Sequence, residues 1–459
     1  MRLAPHGDPT FDPAFPAIED AYPFARHPGD NTIIAMRAGR PIHRAEFLSD
    51  IAALAARLPS HKYTVNLCAD RYRFMVGLGA ALSRRQVSLM PPSGVPFVLK
   101  ALAADYPDLY VLSDGAAPPI PTMAYPDRLE HGPAGAESPS IPGVQPAIVL
   151  FTSGSTGHPK PTPKSWGALV RSALSAGQRL DVANLAGATI IGTVPHQHSY
   201  GFESTILLGL QHGLTIEAHR PLYPGDIRAV IEEAPRPRIL VTTPVHLRAL
   251  VADPDDMPPV DLILSATAPL PVELAAQAEA RLAGHLVEIY GCTEAGQLAT
   301  RRTVQESRWR CFDGVRLCED ENGTWASGPA VEGTVLLHDV IEHSGADTFL
   351  LGGRPADLVD VAGKRTSLAH LNHQLLSIDG VKDGVFLKGD ATGDRTARLM
   401  ALVVAPGMPL EAIMQGLRER MDAAFLPRPL VMAEVLPRDA SGKLPREALL
   451  EQLRRDKSA

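Results

Sequence analysis

Between residues 146 and 290 a short apolar run, a turn and a segment with helical periodicity follow one another repeatedly. This alternation constrains the fold more than any other feature of the chain. The apolar runs are Ala147 to Phe151, Thr189 to Val194, Leu214 to Glu217, Ile239 to Thr242, Leu262 to Leu264 and Leu286 to Tyr290. The helical candidates are Trp166 to Leu180 behind a Ser165 cap, Glu203 to Gln211, Val245 to Val251, and Val272 to Leu282 before Gly284. Parallel strands cannot be joined by tight turns and need long crossover connections. The pattern therefore predicts an α/β domain with a parallel-rich sheet and covering helices.

At 459 residues the chain is long enough for two or three folding units. The first 140 residues continue the same style less clearly, with apolar stretches at Ile51 to Leu58 and Phe74 to Leu82. Segment 113–145, dense in Pro, Gly, Ser and Ala, reads as a long surface connection. After about residue 355 the texture changes. Strand candidates Val385 to Lys388, Leu399 to Val404 and Leu430 to Leu436 surround a helix at Leu410 to Met421, and a terminal helix begins at Arg446. The expectation is a large α/β N-terminal domain, 1–355, and a small α+β C-terminal domain, 356–459, with the boundary in GGRPADLVDVAGKR. The 42 prolines are roughly twice the average share and point to many rigid loops.

The balance of 44 Lys+Arg against 51 Asp+Glu leaves a net charge of −7, with no basic tract to follow a phosphate backbone, so nucleic acid is not an expected partner. No apolar run reaches the length of a membrane span, and MRLAPHGDPTFDPAF lacks a secretory h-region; the expectation is a cytoplasmic protein without membrane insertion. Cys68, Cys292, Cys311 and Cys318 are too few for a disulfide framework, and none are spaced C-x-x-C. They read as reduced, buried thiols.

The segment with the most chemistry is AIVLFTSGSTGHPK, 147–160. An apolar strand leads into Thr152, Ser153, Gly154, Ser155, Thr156 and Gly157, followed by Lys160. Glycines let the backbone approach a ligand, N–H groups and hydroxyls donate to phosphate oxygens, and the lysine adds a point charge. No G-x-x-x-x-G-K-[ST] can be written through it, so it is not a Walker A loop. A six-residue Ser/Gly tract also suits an ordinary turn between strand and helix. In PHQHSYGFE, 195–203, His196 and His198 fall on one face of an extended segment, which suits either a metal pair or hydrogen-bonded interior histidines. His370 and His373 share one helical face, where solvated or core placement is the expectation.

TSGSTGHPK resembles the phosphate loop of the acyl-adenylate-forming superfamily of acyl- and aryl-CoA synthetases, peptide-synthetase adenylation domains and luciferases. Four further segments resemble that family in the expected order. In SATAPL, 265–270, the resemblance puts Ser265 beside the acid and Ala266, Thr267 and Ala268 beside the nucleotide. In YGCTE, 290–294, it implies that Tyr290 and Gly291 border adenine, Thr293 contacts the α-phosphate, and Glu294 helps hold magnesium. Asp339 takes the place of the aspartate that binds the ribose hydroxyls, with Arg354 as its companion. In PRDASGKLPR, 437–446, Lys443 matches the lysine that reaches the reacting carboxylate and α-phosphate. His198-x-x-Gly201 resembles the segment beside the acyl pocket and pantetheine tunnel, and Gly363 falls where a glycine lines the pantetheine path.

The implied reaction activates a carboxylic acid with ATP and Mg²⁺ to an acyl-AMP, then transfers the acyl group to the thiol of CoA or a holo-acyl carrier protein. A carboxylate attacking a phosphate brings two anions together, so such a site needs cations and donors to stabilise the transition state. Lysine suits this as a compact charge on a flexible stem, although Lys443 in isolation is equally a solvated surface residue and Glu294 a helix N-terminal acid. Some positions depart from the family pattern. Pro161 replaces a glycine, Trp166 stands where a histidine is common, and Ala356 with Asp357 leaves the hinge position between domains open. The terse N-terminal domain and LVDVAGKR resemble the hydroxybenzoate- or hydroxycinnamate-activating ligases of aryl-polyene and xanthomonadin pigment clusters. A ligase that makes acyl-AMP from fatty acids without using CoA, and a non-catalytic scaffold that binds nucleotide or carrier protein, are the alternatives.

Overall fold

Successive side chains of a strand point to opposite faces, and in the strands of the predicted alternation both sets are apolar. Ile190, Ile239, Val241, Leu262 and Leu264 pack on one side of the sheet, while Ile191, Leu240, Ile263 and Leu286 pack on the other. These strands are therefore buried on both faces. The structure is a computed structural model and describes residues 20–129, 137–152, 160–352, 358–361, 364–389, 399–439 and 442–455.

Strands His285–Cys292, Leu262–Ser265, Arg238–Thr242, Thr189–Gly192, Thr215–Glu217 and Ile33–Arg37 lie side by side, all parallel, in an eleven-stranded sheet. Antiparallel strands extend it at both ends: Arg40–His43 on one edge, and Gly296–Arg301, Trp309–Cys311, Thr348–Leu351 and Ile341–His343 on the other. Helix Val272–Leu282 has the bounds the sequence predicts, although the residue that ends it in the left-handed region is Ala283 rather than Gly284. Helix Trp166–Arg179 is capped as expected, with Ser165 Oγ accepting from the Ala168 N–H at 3.3 Å.

The first run of the alternation belongs elsewhere. Strand Pro146–Thr152 sits in a second, six-stranded sheet with the parallel strands Val87–Met90, Tyr63–Asn66, Leu109–Ser113 and Thr122–Ala124. Its other neighbour, Lys160–Ser165, is an antiparallel edge strand that the sequence does not announce. Pro161 and Pro163 cannot donate to a ladder, and an edge is where a strand tolerates them. The predicted helix at Glu203 to Gln211 is a longer element that widens into π-helical turns over Phe202–Leu207.

The C-terminal residues form their own core. In a three-stranded sheet, Asp383–Lys388 pairs antiparallel with Leu399–Val404, which pairs parallel with Leu430–Met432, four residues shorter than expected. Leu371, Leu375, Ile413 and Leu417 of helices Leu368–Leu376 and Leu410–Arg420 cover one face, and Leu449 and Leu453 of helix Arg446–Arg455 cover the other. The four cysteines are free, and Cys68 and Cys311 are buried as expected, but Cys292 is half-buried and Cys318 is exposed, because it lies on the outward strand Arg316–Asp320. Among the described residues no helix is long and apolar enough to cross a membrane.

Candidate active site

In an open parallel sheet the strands deliver loops from their carboxyl ends to one edge, and ligands of such sheets bind there. Strand Thr189–Gly192 leads to His196 and His198, Arg238–Thr242 to Thr243 and His246, Leu262–Ser265 to Ala266, Thr267 and Ala268, and His285–Cys292 to Thr293 and Glu294. The neighbouring register pairs Thr242 with Ser265 and Ser265 with Glu288. Ser265 is buried, and its Oγ has no hydrogen-bond partner among the described residues. Thr267 has φ of 79°, a left-handed conformation that disfavours a β-branched side chain, and such strain concentrates at working sites.

The segment Tyr290 to Gln297 is a hairpin whose turn is Thr293, Glu294 and Ala295. Gly291 pairs with Gln297 across it. A Cβ on Gly291 would come within 2.2 Å of the Gly296 carbonyl oxygen, so this close crossing admits only glycine. Thr293 and Glu294 are half-buried at the tip. Burial pushes the Cys292 thiol between them and the strand up to about 11, so it stays protonated. Tyr290 packs edge-on to Phe349 and against Trp309, and its hydroxyl donates to Asp339 Oδ2 at 2.9 Å. The aromatic ring and the aspartate that the sequence marks for adenine and ribose therefore stand together.

The His198 loop turns sharply before the π-helical segment. A Cβ on Gly201 would lie 2.0 Å from the Pro195 carbonyl oxygen, so the turn requires glycine. His196 is buried, its Nε2 donating to the Cys68 carbonyl at 3.0 Å and its ring edge-on to Phe74. Burial lowers its pKa well below the usual histidine value, and the nearby Arg71 charge adds to this. This is the hydrogen-bonded interior histidine of the two readings. His198 lines a cavity of about 330 Å³ together with Asn66, Phe74, Met90, Gln197 and Arg220. Burial lowers its pKa too, while Asp439 and Lys443 of the C-terminal unit act on it with opposite signs.

The structure thus brings the Lys443 loop to His198. That loop is built by its own residues: Asp439 accepts from the Lys443 N–H at 3.0 Å, and Arg438 holds Asp383 by a bidentate pair while donating to the Gly442 carbonyl at 2.8 Å. Gly442, at φ 82°, lies against Val245 and Thr243 at the start of helix Pro244–Ala252. The Lys443 side chain is exposed.

Thr152 and Lys160 are cross-strand partners, so the two ends of the Ser/Gly loop meet directly. Ser153, Gly154, Ser155, Thr156, Gly157, Arg354 and Gly363 lie outside the described residues, as do Ala356 and Asp357. His370 and His373 are exposed on their helix, in keeping with solvated placement.

The sequence gives no sign of three further residues at this edge. Arg71, Lys164 and Glu203 read as ordinary charges but are buried. The one signal is that Arg71 opens a helix, where a cation is disfavoured.

Residues 90–321, half of the chain, match the model of the AMP-binding enzyme family. The chain belongs to this family. Among curated relatives it is 28% identical over 296 residues to a 4-coumarate–CoA ligase of Rhodobacter capsulatus, covering 64% of this chain and 74% of that protein. It is 25% identical to an indoleacetate–CoA ligase of Aromatoleum aromaticum, over 89% of this chain and 88% of the relative. Its fold is like that of ATP-bound MatB from Rhodopseudomonas palustris (TM-score 0.77, 17% identity, 95% of this chain and 98% of that one). It is also like that of o-succinylbenzoate CoA synthetase (MenE) from Bacillus subtilis with its acyl-adenylate intermediate (TM-score 0.77, 17% identity, 91% and 95%). The expected α/β architecture of an adenylate-forming enzyme is thereby established for this AMP-binding chain.

Proposed function

We propose that this AMP-binding enzyme joins a carboxylic acid to a thiol through an acyl adenylate. A carboxylate oxygen attacks the α-phosphorus of ATP and pyrophosphate leaves; a thiol sulfur then attacks the acyl carbon and AMP leaves. The observation that carries this reading is the meeting, at one sheet edge, of the Tyr290–Asp339 pair, the Thr293–Glu294 turn and the His198 loop with Lys443 above it. Tyr290 and Gly291 with Asp339 would hold adenosine, joined by Ala266, Thr267, Ala268 and Arg354. Residues 152–157 and Lys160 would hold the phosphates, and Thr293 the α-phosphate. Lys443 would bridge the two anions during attack.

Among the described residues no three His, Cys, Asp or Glu side chains stand together as a metal cage. Magnesium is commonly held by one or two carboxylates plus substrate phosphates, so Glu294 with a nucleotide fits the ion, which would neutralise phosphate charge.

The acid is an aromatic one in our reading, because the relatives named above carry 4-coumarate and indoleacetate in their names. A hydroxybenzoate of the aryl-polyene or xanthomonadin type falls within that class. The thiol is that of CoA, as in those names, or of an acyl carrier protein. The cavity beside His198 is its approach, with Ser265, Gly201 and Gly363 along the organic substrates. Arg220 lines this cavity half-buried and makes no hydrogen bond or ion pair with a described residue, which suits a ligand that brings its own anion. Residues 1–355 would act as the substrate-binding domain and 356–459 as the mobile domain that presents Lys443, then Gly363.

The test is pyrophosphate release with Mg·ATP across 3- and 4-hydroxybenzoate, hydroxycinnamates, indoleacetate and short and long fatty acids, with CoA, with carrier protein and with neither. Selective turnover of an aromatic acid supports the reading. Selective turnover of fatty acids that CoA does not stimulate would favour the acyl-AMP ligase, and ATP binding without turnover of any acid the scaffold.

A further inference from the structure

Lys164 and Glu203 are both buried, although one lies on an edge strand and the other in the π-helical segment. They converge on the same eight residues. The Lys164 ammonium donates to the backbone carbonyl of Glu294, inside the turn. Three residues on, Glu203 Oε2 accepts the backbone N–H of Gln297 at 3.2 Å. The same oxygen lies 3.3 Å from where a Cβ on Gly296 would stand, and Gly296 has φ of 79°, so the turn closes directly onto the carboxylate. Ser199 and Ser172 donate to Glu203 at 2.7 and 3.3 Å, and Gln297 Nε2 donates to Ser204 Oγ at 2.8 Å, which fixes the carboxylate and its helix against the hairpin. The two side chains feel each other's charge. Burial lowers the lysine and raises the glutamate, and each counters the shift in the other.

Buried charges are expensive, and a turn can be held by neutral groups; a charged pair gripping one backbone segment at two points fixes its position. We propose that Lys164 and Glu203 are positioning residues that brace the Thr293–Ala295 turn, so that the Thr293 hydroxyl and Glu294 carboxylate are held ready for the phosphates and magnesium of ATP. The inference rests on the proposed role of that turn. Neither residue touches substrate. Their effect reaches the reaction through the backbone at Glu294 and Gln297, as outer groups orient the ligands of a metal site and commonly change its affinity by about 10–100-fold.

The experiment uses the full chain and compares K164M, E203Q, the double variant K164M/E203Q, and the turn variants T293V and E294Q. Each is assayed for kcat and KM in Mg·ATP-dependent pyrophosphate release and for melting temperature. Each single brace variant leaves one buried charge uncompensated and melts lower. The double variant removes both charges and recovers most of the melting temperature, but kcat/KM for Mg·ATP stays about 10–100-fold down while KM for the acid changes less than about threefold. A double variant with restored melting and wild-type kcat/KM for Mg·ATP overturns the brace, as does one whose ATP and acid parameters fall together. If T293V and E294Q leave Mg·ATP kinetics unchanged, it is instead the assignment of the turn to ATP that fails.

Discussion

Arg71 is fully buried, and among the described residues its guanidinium bonds only to backbone. From the first turn of helix Arg71–Ser83, which packs with the six-stranded sheet, it donates to the carbonyls of Glu217 at 2.5 Å, His219 at 3.1 Å and Gly192 at 2.9 Å. Gly192 and Glu217 end two neighbouring strands of the larger sheet, so one side chain ties the two sheets at the edge where the site is built. Hydrogen bonds from a charged donor contribute roughly 1.5–3 kcal/mol each net of desolvation, so three are worth roughly 5–9 kcal/mol. Burial lowers the Arg71 pKa to about 10 from 12.5, a cost on the charged form that those net values already include. Arg71→Met keeps the stem but leaves three carbonyls unpaired, for a loss of roughly 5 kcal/mol or more, comparable with a domain's whole stability of about 5–15 kcal/mol. Arg71→Lys, with a compact ammonium that cannot span the three oxygens, falls between. Urea and thermal unfolding measure the difference. A midpoint for Arg71→Met indistinguishable from wild type would mean that the carbonyls had found other partners at no cost and that Arg71 does not tie the sheets.

Three further outcomes are expected. His27 is buried, with Nε2 against the Leu214 carbonyl, and burial lowers its pKa to about 4. The unfolded chain then binds the extra proton between about pH 6.5 and 4, so stability is full above that window and is lost as pH falls through it. Glu203 and Glu288, raised by burial, act in the opposite sense. His27→Gln should flatten the fall of melting temperature over that range, and an unchanged slope would show that His27 does not cause it. Gly201→Ala drives a Cβ into the Pro195 carbonyl and should displace His198, cutting turnover far more than it lowers the melting point; full activity contradicts the turn geometry. Arg220→Gln should raise the KM for the thiol acceptor by about tenfold and leave that for ATP unchanged, and the reverse pattern would remove Arg220 from the thiol's approach.

What the sequence made legible follows from how each feature is encoded. Val272 to Leu282 and Leu399 to Val404 were readable because their apolar periodicity is strong and local. The antiparallel strands after Gly296 were not, because short strands such as Arg316–Asp320 are largely exposed and carry no alternation. That Pro146–Thr152 leaves the alternation for another sheet is a matter of long-range pairing, which no local pattern records. In the site, Tyr290, Asp339, His198 and Lys443 were marked by motifs, and the structure joins them in two pairs. Arg71, Lys164 and Glu203 carry no motif. Their burial depends on partners 121 to 148, 130 and 94 residues away, and until those are in place each is only a charged residue in a loop or helix.

In the proposed reaction an acyl adenylate forms where Lys443 meets the His198 loop. The direct measurement is to follow wild type and Lys443→Ala through the two half-reactions separately: acyl-AMP and pyrophosphate from an aromatic acid with Mg·ATP, and thioester from synthetic acyl-AMP with the thiol. Wild type should give one pyrophosphate per acyl-AMP. Lys443→Ala should lose about 100-fold or more in that step, yet keep thioester formation within a few-fold. Equal loss in both steps, or none in the first, would contradict the account.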